Sequence, residues 1–254
     1  LINETRGFHE TSKIRHRRAG LALLPFSAQA LLFDAEVGAA FWSHSPSGHM
    51  GTGDGNFDAD DELGFGRENG FFGWAKFEPM LLPNIRVAYT PLDFDGSGRV
   101  DRTLRFGDIE VDAGQDVDSK LSLDQLDATI YIQPLSNVVS LGVGLNVRLM
   151  DGEAQVTANG QTDRISFSGP IPMLYGNAGV ALPFTGLSAN AEASAIAYSG
   201  NRLIDAQIGL RYHVAPFVRV EAGYRRYELK LDDFDDIDVD LSIDGPYLGL
   251  VARF

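Results

Sequence analysis

The sequence predicts an all-β chain folded as a single antiparallel, up-and-down transmembrane β-barrel of about ten strands. Three observations carry that prediction. First, the final stretch, Tyr247-Leu-Gly-Leu-Val-Ala-Arg-Phe254, places Leu248, Leu250, Ala252 and Phe254 on one side of a strand and Tyr247, Gly249, Val251 and Arg253 on the other, and it stops on an aromatic. Second, segments of similar alternation recur along the chain. Third, the connections between them are by turns short, or long and rich in Asp and Gly. A barrel that crosses a bilayer needs an outward apolar stripe, spans of about ten residues and an even strand count with short turns at one end.

Composition narrows the class further. The chain has 254 residues, 22% of them charged, with 28 Gly and no Cys. Its mean hydropathy is −0.08 and no run of 18 apolar residues occurs, so a spanning helix of ordinary length is excluded and spanning strands are not. The absence of Cys removes disulfides and thiolate metal sites. A net charge of −14 argues against nucleic acid as a partner. The charge is uneven. Residues 1–30 hold five Lys/Arg and two Asp/Glu, leaving 16 basic and 33 acidic residues in the rest.

Taken in order, Lys13-Ile-Arg-His-Arg-Arg18 is followed by the apolar Ala19–Phe26 and by Ser27-Ala-Gln-Ala30. A basic region, a short apolar region and an Ala-x-Ala site form the layout of a secretory signal peptide. Residues 1–30 are therefore expected to be a leader with an upstream extension, and 31–254 the barrel. From Phe33 to Trp42 the chain alternates, and a long polar connection is expected over 45–69. Alternating segments follow at 71–78, 85–90, 126–133, 139–149, 171–182, 187–198, 204–213, 218–225 and 247–254. The turns near 81–84, 134–137, 183–186 and 214–217 are short and each contains a Pro. The opposite connections near 45–69, 91–120, 151–166 and 232–242 are long. Both termini then lie on the short-turn, periplasmic side.

Alternation alone leaves open which face is inside, because a soluble barrel alternates too. The terminal Phe, the export signal and the unequal connections favour apolar outside. Under that assignment the lumen receives Asp34, Glu36, Lys76, Glu78, Arg86, Asp127, Arg148, Glu192, Asp205, Arg211, Arg219, Glu221, Arg225 and Arg253. A ten-stranded barrel is little wider than one that its own side chains fill. The charge network singled out is Glu36, Arg148, Glu192, Arg211, Arg219, Glu221, Arg225 and Arg253, expected to pair and to narrow or plug the lumen.

Several stretches carry a family resemblance: Leu81-Leu-Pro-Asn-Ile-Arg-Val87, Gly169-Pro-Ile-Pro-Met-Leu-Tyr175, Leu182-Pro-Phe-Thr-Gly-Leu187, and Asp244-Gly-Pro-Tyr247 with the terminal Phe254. Over essentially all of 31–254 the chain resembles a family of roughly 250-residue proteobacterial outer-membrane β-barrel proteins whose activity is unassigned. The resemblance implies location in the outer membrane of a Gram-negative bacterium, and fold. It implies no chemistry, since its motifs mark turns and strand ends.

The expected function is a structural or interaction role at the cell surface without enzymatic activity. The alternatives are a narrow passive channel for small solutes and an outer-rim lipid hydrolase built on His44-Ser45. Tyr247, Leu250 and Phe254 are expected to serve as the signal read by the barrel-assembly machinery. Partners are outer-membrane lipid and lipopolysaccharide. No cofactor is expected beyond loosely held divalent cations. Asp54, Asn56, Asp58 and Asp60 have the alternate oxygen ligands of a Ca²⁺ loop, but Ala59 stands where an EF-hand needs Gly and Phe65 where it needs Glu.

Overall fold

The computed structural model describes residues 33–52, 55–106, 109–234 and 237–254; the expected leader lies outside the described residues. The strands are β1 (Phe33–Thr52), β2 (Gly55–Asp58), β3 (Glu68–Pro79), β4 (Asn84–Arg99), β5 (Leu104–Phe106), β6 (Ile109–Val111) and β7 (Asp116–Ser136). They continue with β8 (Val139–Ala158), β9 (Gln161–Leu182), β10 (Leu187–Tyr198), β11 (Asn201–Ala215), β12 (Val218–Phe234) and β13 (Ile237–Arg253). Among the described residues ten strands close into an antiparallel barrel in the order β1-β3-β4-β7-β8-β9-β10-β11-β12-β13. The ring is completed by pairing of β13 with β1, as at Phe41↔Leu248. β2 adds a short strand to the outer end of β1, and β5 and β6 form a separate hairpin.

β8 shows how the sequence sets the faces. Val139, Leu141, Val143, Leu145, Val147 and Leu149 are exposed, while Asn146 and Arg148 between them are buried. Apolar side chains therefore point out and polar ones in, the reverse of a soluble barrel. The ten steps from Val139 to Leu149, at about 3.4 Å each and tilted about 40°, span about 26 Å along the barrel axis, close to the height of an outer-membrane belt. Aromatic residues edge the belt: Phe41, Phe71, Tyr89 and Tyr224 toward the outside, Phe77, Phe217 and Phe254 toward the periplasm. Phe41 and Phe71 pack edge to face with centroids 5.3 Å apart.

Beyond Leu149 the pattern inverts. Asp151 and Glu153 are exposed, whereas Met150, Val156 and Ala158 are buried in the interior. The wall has left lipid for water, so polarity changes sides while the strand keeps its period of two.

The long acidic outer connections are present, but they are built mostly as strand rather than irregular loop. The 151–166 connection is strand on both sides of Asn159-Gly160, where φ values of 53° and 76° form a tight hairpin turn. The 91–120 connection continues β4 to Arg99 and resumes as β7 at Asp116, and the last connection continues β12 to Phe234 and resumes at Ile237. Acidic residues there face water on alternate positions, and their intervening neighbours fill the barrel's outer end.

Candidate functional site

The interior has three levels. At the periplasmic end a cavity of about 990 Å³ opens between the short turns; Glu36, Lys76, Asn177, Asn190, Arg211 and Arg219 are among its lining residues.

The second level is a layer of ion pairs at mid-barrel. Lys76 on β3 reaches Glu192 on β10, and Arg86 on β4 approaches the same carboxylate at 3.1 Å. Arg211 donates to Glu221 at 2.8 Å and to Glu36 at 3.2 Å, and Arg219 lies 3.6 Å from Glu36. Deeper in, Arg148 forms a two-point contact with Asp127, both distances 2.9 Å, and also binds Asp205. Arg225 clasps Asp205 at 2.9 and 2.7 Å and donates to Thr90 across the lumen. Its guanidinium also lies over the Trp42 and Phe72 rings, 4.9 and 4.7 Å from their centroids. Arg253 pairs with Asp34 at 2.9 Å on the half-exposed periplasmic rim. With Glu78, 3.8 Å from Arg253, seven basic and seven acidic inward side chains thus neutralise one another. Buried charges are tolerated only with such pairing. The gap left between Arg148, Asp205, Arg225 and Glu192 is about 20 Å³, space for about one water and too little for a solute.

The third level is apolar. Leu63 and Phe65, from the segment between β2 and β3, turn inward to join Phe94, Val117, Leu121, Leu123, Val156, Leu241 and Ile243, all buried. Phe65 and Phe94 have centroids 6.0 Å apart, and the His44 ring lies 5.2 Å from Phe94.

Arg148, Glu192, Arg211, Arg219, Glu221 and Arg225 all meet partners in the central layer together with Glu36, while Arg253 stays at the rim. Lys76, Arg86, Asp127 and Asp205 complete the layer. The alternation had placed them inward, but they were not singled out, because no local pattern tells which side chains meet across a lumen. Arg225 is held by Asp205, a residue outside the network singled out from the sequence.

Leu250 and Phe254 lie on the lipid face. The Phe254 backbone closes the seam with Ala35 through reciprocal bonds of 2.8 and 3.2 Å. Tyr247 lies on the opposite face, as the alternation of the last strand places it. It points inward, its ring laid over Gly223, where any side chain would collide with it, and its hydroxyl donates to Glu221 at 2.8 Å. As consecutive strand residues His44 and Ser45 take opposite faces, and His44 is buried beside Trp42 and Phe94.

Of the candidate Ca²⁺ ligands, Asp54 and the Asn56 side chain lie outside what is described. The Asp58 carboxylate accepts the Asp60 and Asp61 backbone N–H groups, both at 3.0 Å, which uses it as a turn cap. Asp60 enters through its backbone only. Among the described residues no group of three or more His, Asp or Glu side chains is arranged to hold a metal ion.

No protein-family model matches the sequence, and no similar curated protein was found. Among solved structures the chain is similar to the outer membrane protease OmpT from Escherichia coli, with 9% identity over 88% of this chain and 97% of that one and a TM-score of 0.57. It is also similar to Ail, the attachment invasion locus protein of Yersinia pestis (13% identity, 88% and 100% coverage, TM-score 0.40). A further similar structure is the translocator domain of the autotransporter NalP from Neisseria meningitidis (13%, 87% and 88%, 0.43). At these identities the likeness concerns the fold. The OmpT likeness and the exposed apolar belt make the chain a transmembrane β-barrel of the outer-membrane type. The comparisons establish that class and no narrower family within it.

Proposed function

We propose that the protein is a closed outer-membrane barrel with a structural or interaction role at the cell surface, neither a transporter nor an enzyme. We place it with the family of roughly 250-residue barrels that its turn motifs resemble. The observation that carries this reading is the blind end of the periplasmic cavity. The Lys76–Glu192 pair spans the lumen at its head, and the apolar plug around Leu63, Phe65 and Phe94 stands beyond it. The cavity is also the one feature that favours a narrow passive channel, and those two layers speak against it. The burial of His44 between Trp42 and Phe94, with Ser45 on the opposite face, speaks against a hydrolase built on that pair. The outward acidic residues, such as the cross-strand neighbours Asp124 and Asp151, would meet the lipopolysaccharide surface through loosely held divalent cations, and Leu250 with Phe254 would present the last strand to the assembly machinery.

Swelling of liposomes that contain the refolded barrel, in isosmotic glycine or arabinose, tests the reading. Rates equal to protein-free liposomes are expected. Swelling that grows with protein content would favour the passive channel.

A further inference from the structure

The barrel wall is much taller on one side than on the other. β9 pairs with β8 along nearly its whole length, from Gln161↔Ala158 to Val180↔Val139. On its other side it pairs with β10 only from Leu174 to Leu182, because the β10–β11 hairpin turns back at Ser199-Gly200. Among the described residues, Gln161–Met173 therefore have a ladder partner on one side alone. The opposite edge of the tall wall is treated differently. β4 also outruns β3, whose pairing ends at Gly73↔Tyr89, but the segment 59–65 folds over it. Phe65 bridges Gly96, and the Glu62 and Leu63 carbonyls sit against Gly98 and Gly96.

The two prolines of β9 tell which groups the open edge offers. Proline survives in a paired strand only where its missing N–H would point away from the partner. Pro170 and Pro172 keep register with Leu149 and Val147 of β8, so the even-numbered residues turn their N–H and C=O to the open side. Thr162, Ser166 and Ser168 thus present unpaired donors and acceptors, and Arg164 presents its carbonyl, its N–H being held by the Asp163 carboxylate at 2.7 Å; the run ends where the prolines begin. The inner face beside this edge is apolar and only half-buried at Ile165 and Phe167, and across the gap stand Ile196 and Leu231, also half-buried, and Tyr198, which is 80% exposed. The outer face carries exposed Arg164, Ser166 and Ser168.

We propose that the outer edge of β9, from Thr162 to Ser168, is a strand-addition site for an extended polypeptide segment with alternating apolar and polar side chains. An edge with unpaired main-chain groups is a template for pairing, and added strands bind through main-chain hydrogen bonds with alternate side chains read by pockets; β6 lies near β9 but does not fill its ladder on this side. One set of the guest's side chains would enter the gap lined by Ile165, Phe167, Ile196 and Leu231, and the other would face water. A second copy does not fit. Two barrels in one membrane related by a two-fold axis along its normal would cross their β9 strands at twice the strand tilt, about 80°, which forbids a ladder. The inference rests on the reading of the protein as a surface interaction barrel. Solute flux reports on the lumen and peptide binding on the edge, so each can fail alone.

The test uses the barrel in lipid nanodiscs and a dye-labelled eight-residue peptide, Lys-Val-Thr-Val-Thr-Val-Thr-Lys. In the free barrel the Ser166 and Ser168 amides should exchange rapidly with solvent, and saturating peptide should slow them at least tenfold. Ser166→Pro should weaken binding at least tenfold. So should N-methylation of the peptide on one set of alternate residues, but not on the other; the methylated peptides probe wild-type protein, so this arm stands even if the variant misfolds. Absence of binding, binding indifferent to both changes, or amides already protected in the free barrel would overturn the proposal.

Discussion

Lys76 on β3 and Glu192 on β10 form an ion pair between strands that lie directly opposite each other in the ten-strand ring. A contact of that kind crosses the full width of the lumen. It also explains why the interior can be charged at all: each carboxylate of the layer answers a cation contributed by another part of the wall.

Removing Glu192 should leave Lys76 and Arg86 without their shared counter-charge. Glu192→Ala is expected to destabilise the barrel by about 3–5 kcal/mol, the usual cost of breaking a buried pair. Arg253→Ala removes a pair at the half-exposed rim and should cost less than about 1 kcal/mol. Reversible urea titrations in bilayers check both. Equal costs would contradict the division into buried layer and wet rim.

Leu145 is 64% exposed on the belt, and Asp151, six residues further on the same face, lies where the wall meets water. Leu145→Arg should cost about 2–4 kcal/mol, and Asp151→Arg about 0–1 kcal/mol. The same titrations decide it, and a Leu145→Arg barrel as stable as wild type would move the membrane off this belt.

Phe94 is 1% exposed between Phe65 and His44 in the outer plug. Phe94→Ala should cost about 3–5 kcal/mol through lost burial and the cavity left behind. A change below about 1 kcal/mol would mean that the plug is loosely packed.

The ten membrane-crossing segments and their faces were legible in the sequence because a period of two, read against lipid, leaves little choice of register. Leu141 to Leu149 is the clearest instance. The outer halves of the strands were not legible. There the outward residues become polar and the inward ones apolar, so 151–166 reads as a polar connection unless Asn159-Gly160 is recognised as a hairpin turn. The lumen residues could be assigned to a side but not to partners. Arg225 meets Asp205 through cross-strand geometry, and Tyr247 reaches Glu221 with its ring over the space that Gly223 leaves.

Phe254 packs on the lipid face at the seam where its backbone bonds Ala35. Phe254→Asp should sharply lower the folded fraction recovered from outer membranes, scored by heat-modifiable mobility on gels. Wild-type levels of folded variant would remove Phe254 from the assembly role proposed for it.

Single-channel recording of the wild-type barrel in planar bilayers tests lumen closure most directly. The paired layer around Lys76 and Glu192, the gap of about 20 Å³ beneath the plug and the apolar outer end predict a silent baseline at either polarity. Stable, reproducible unitary current steps from the pure protein would contradict the account.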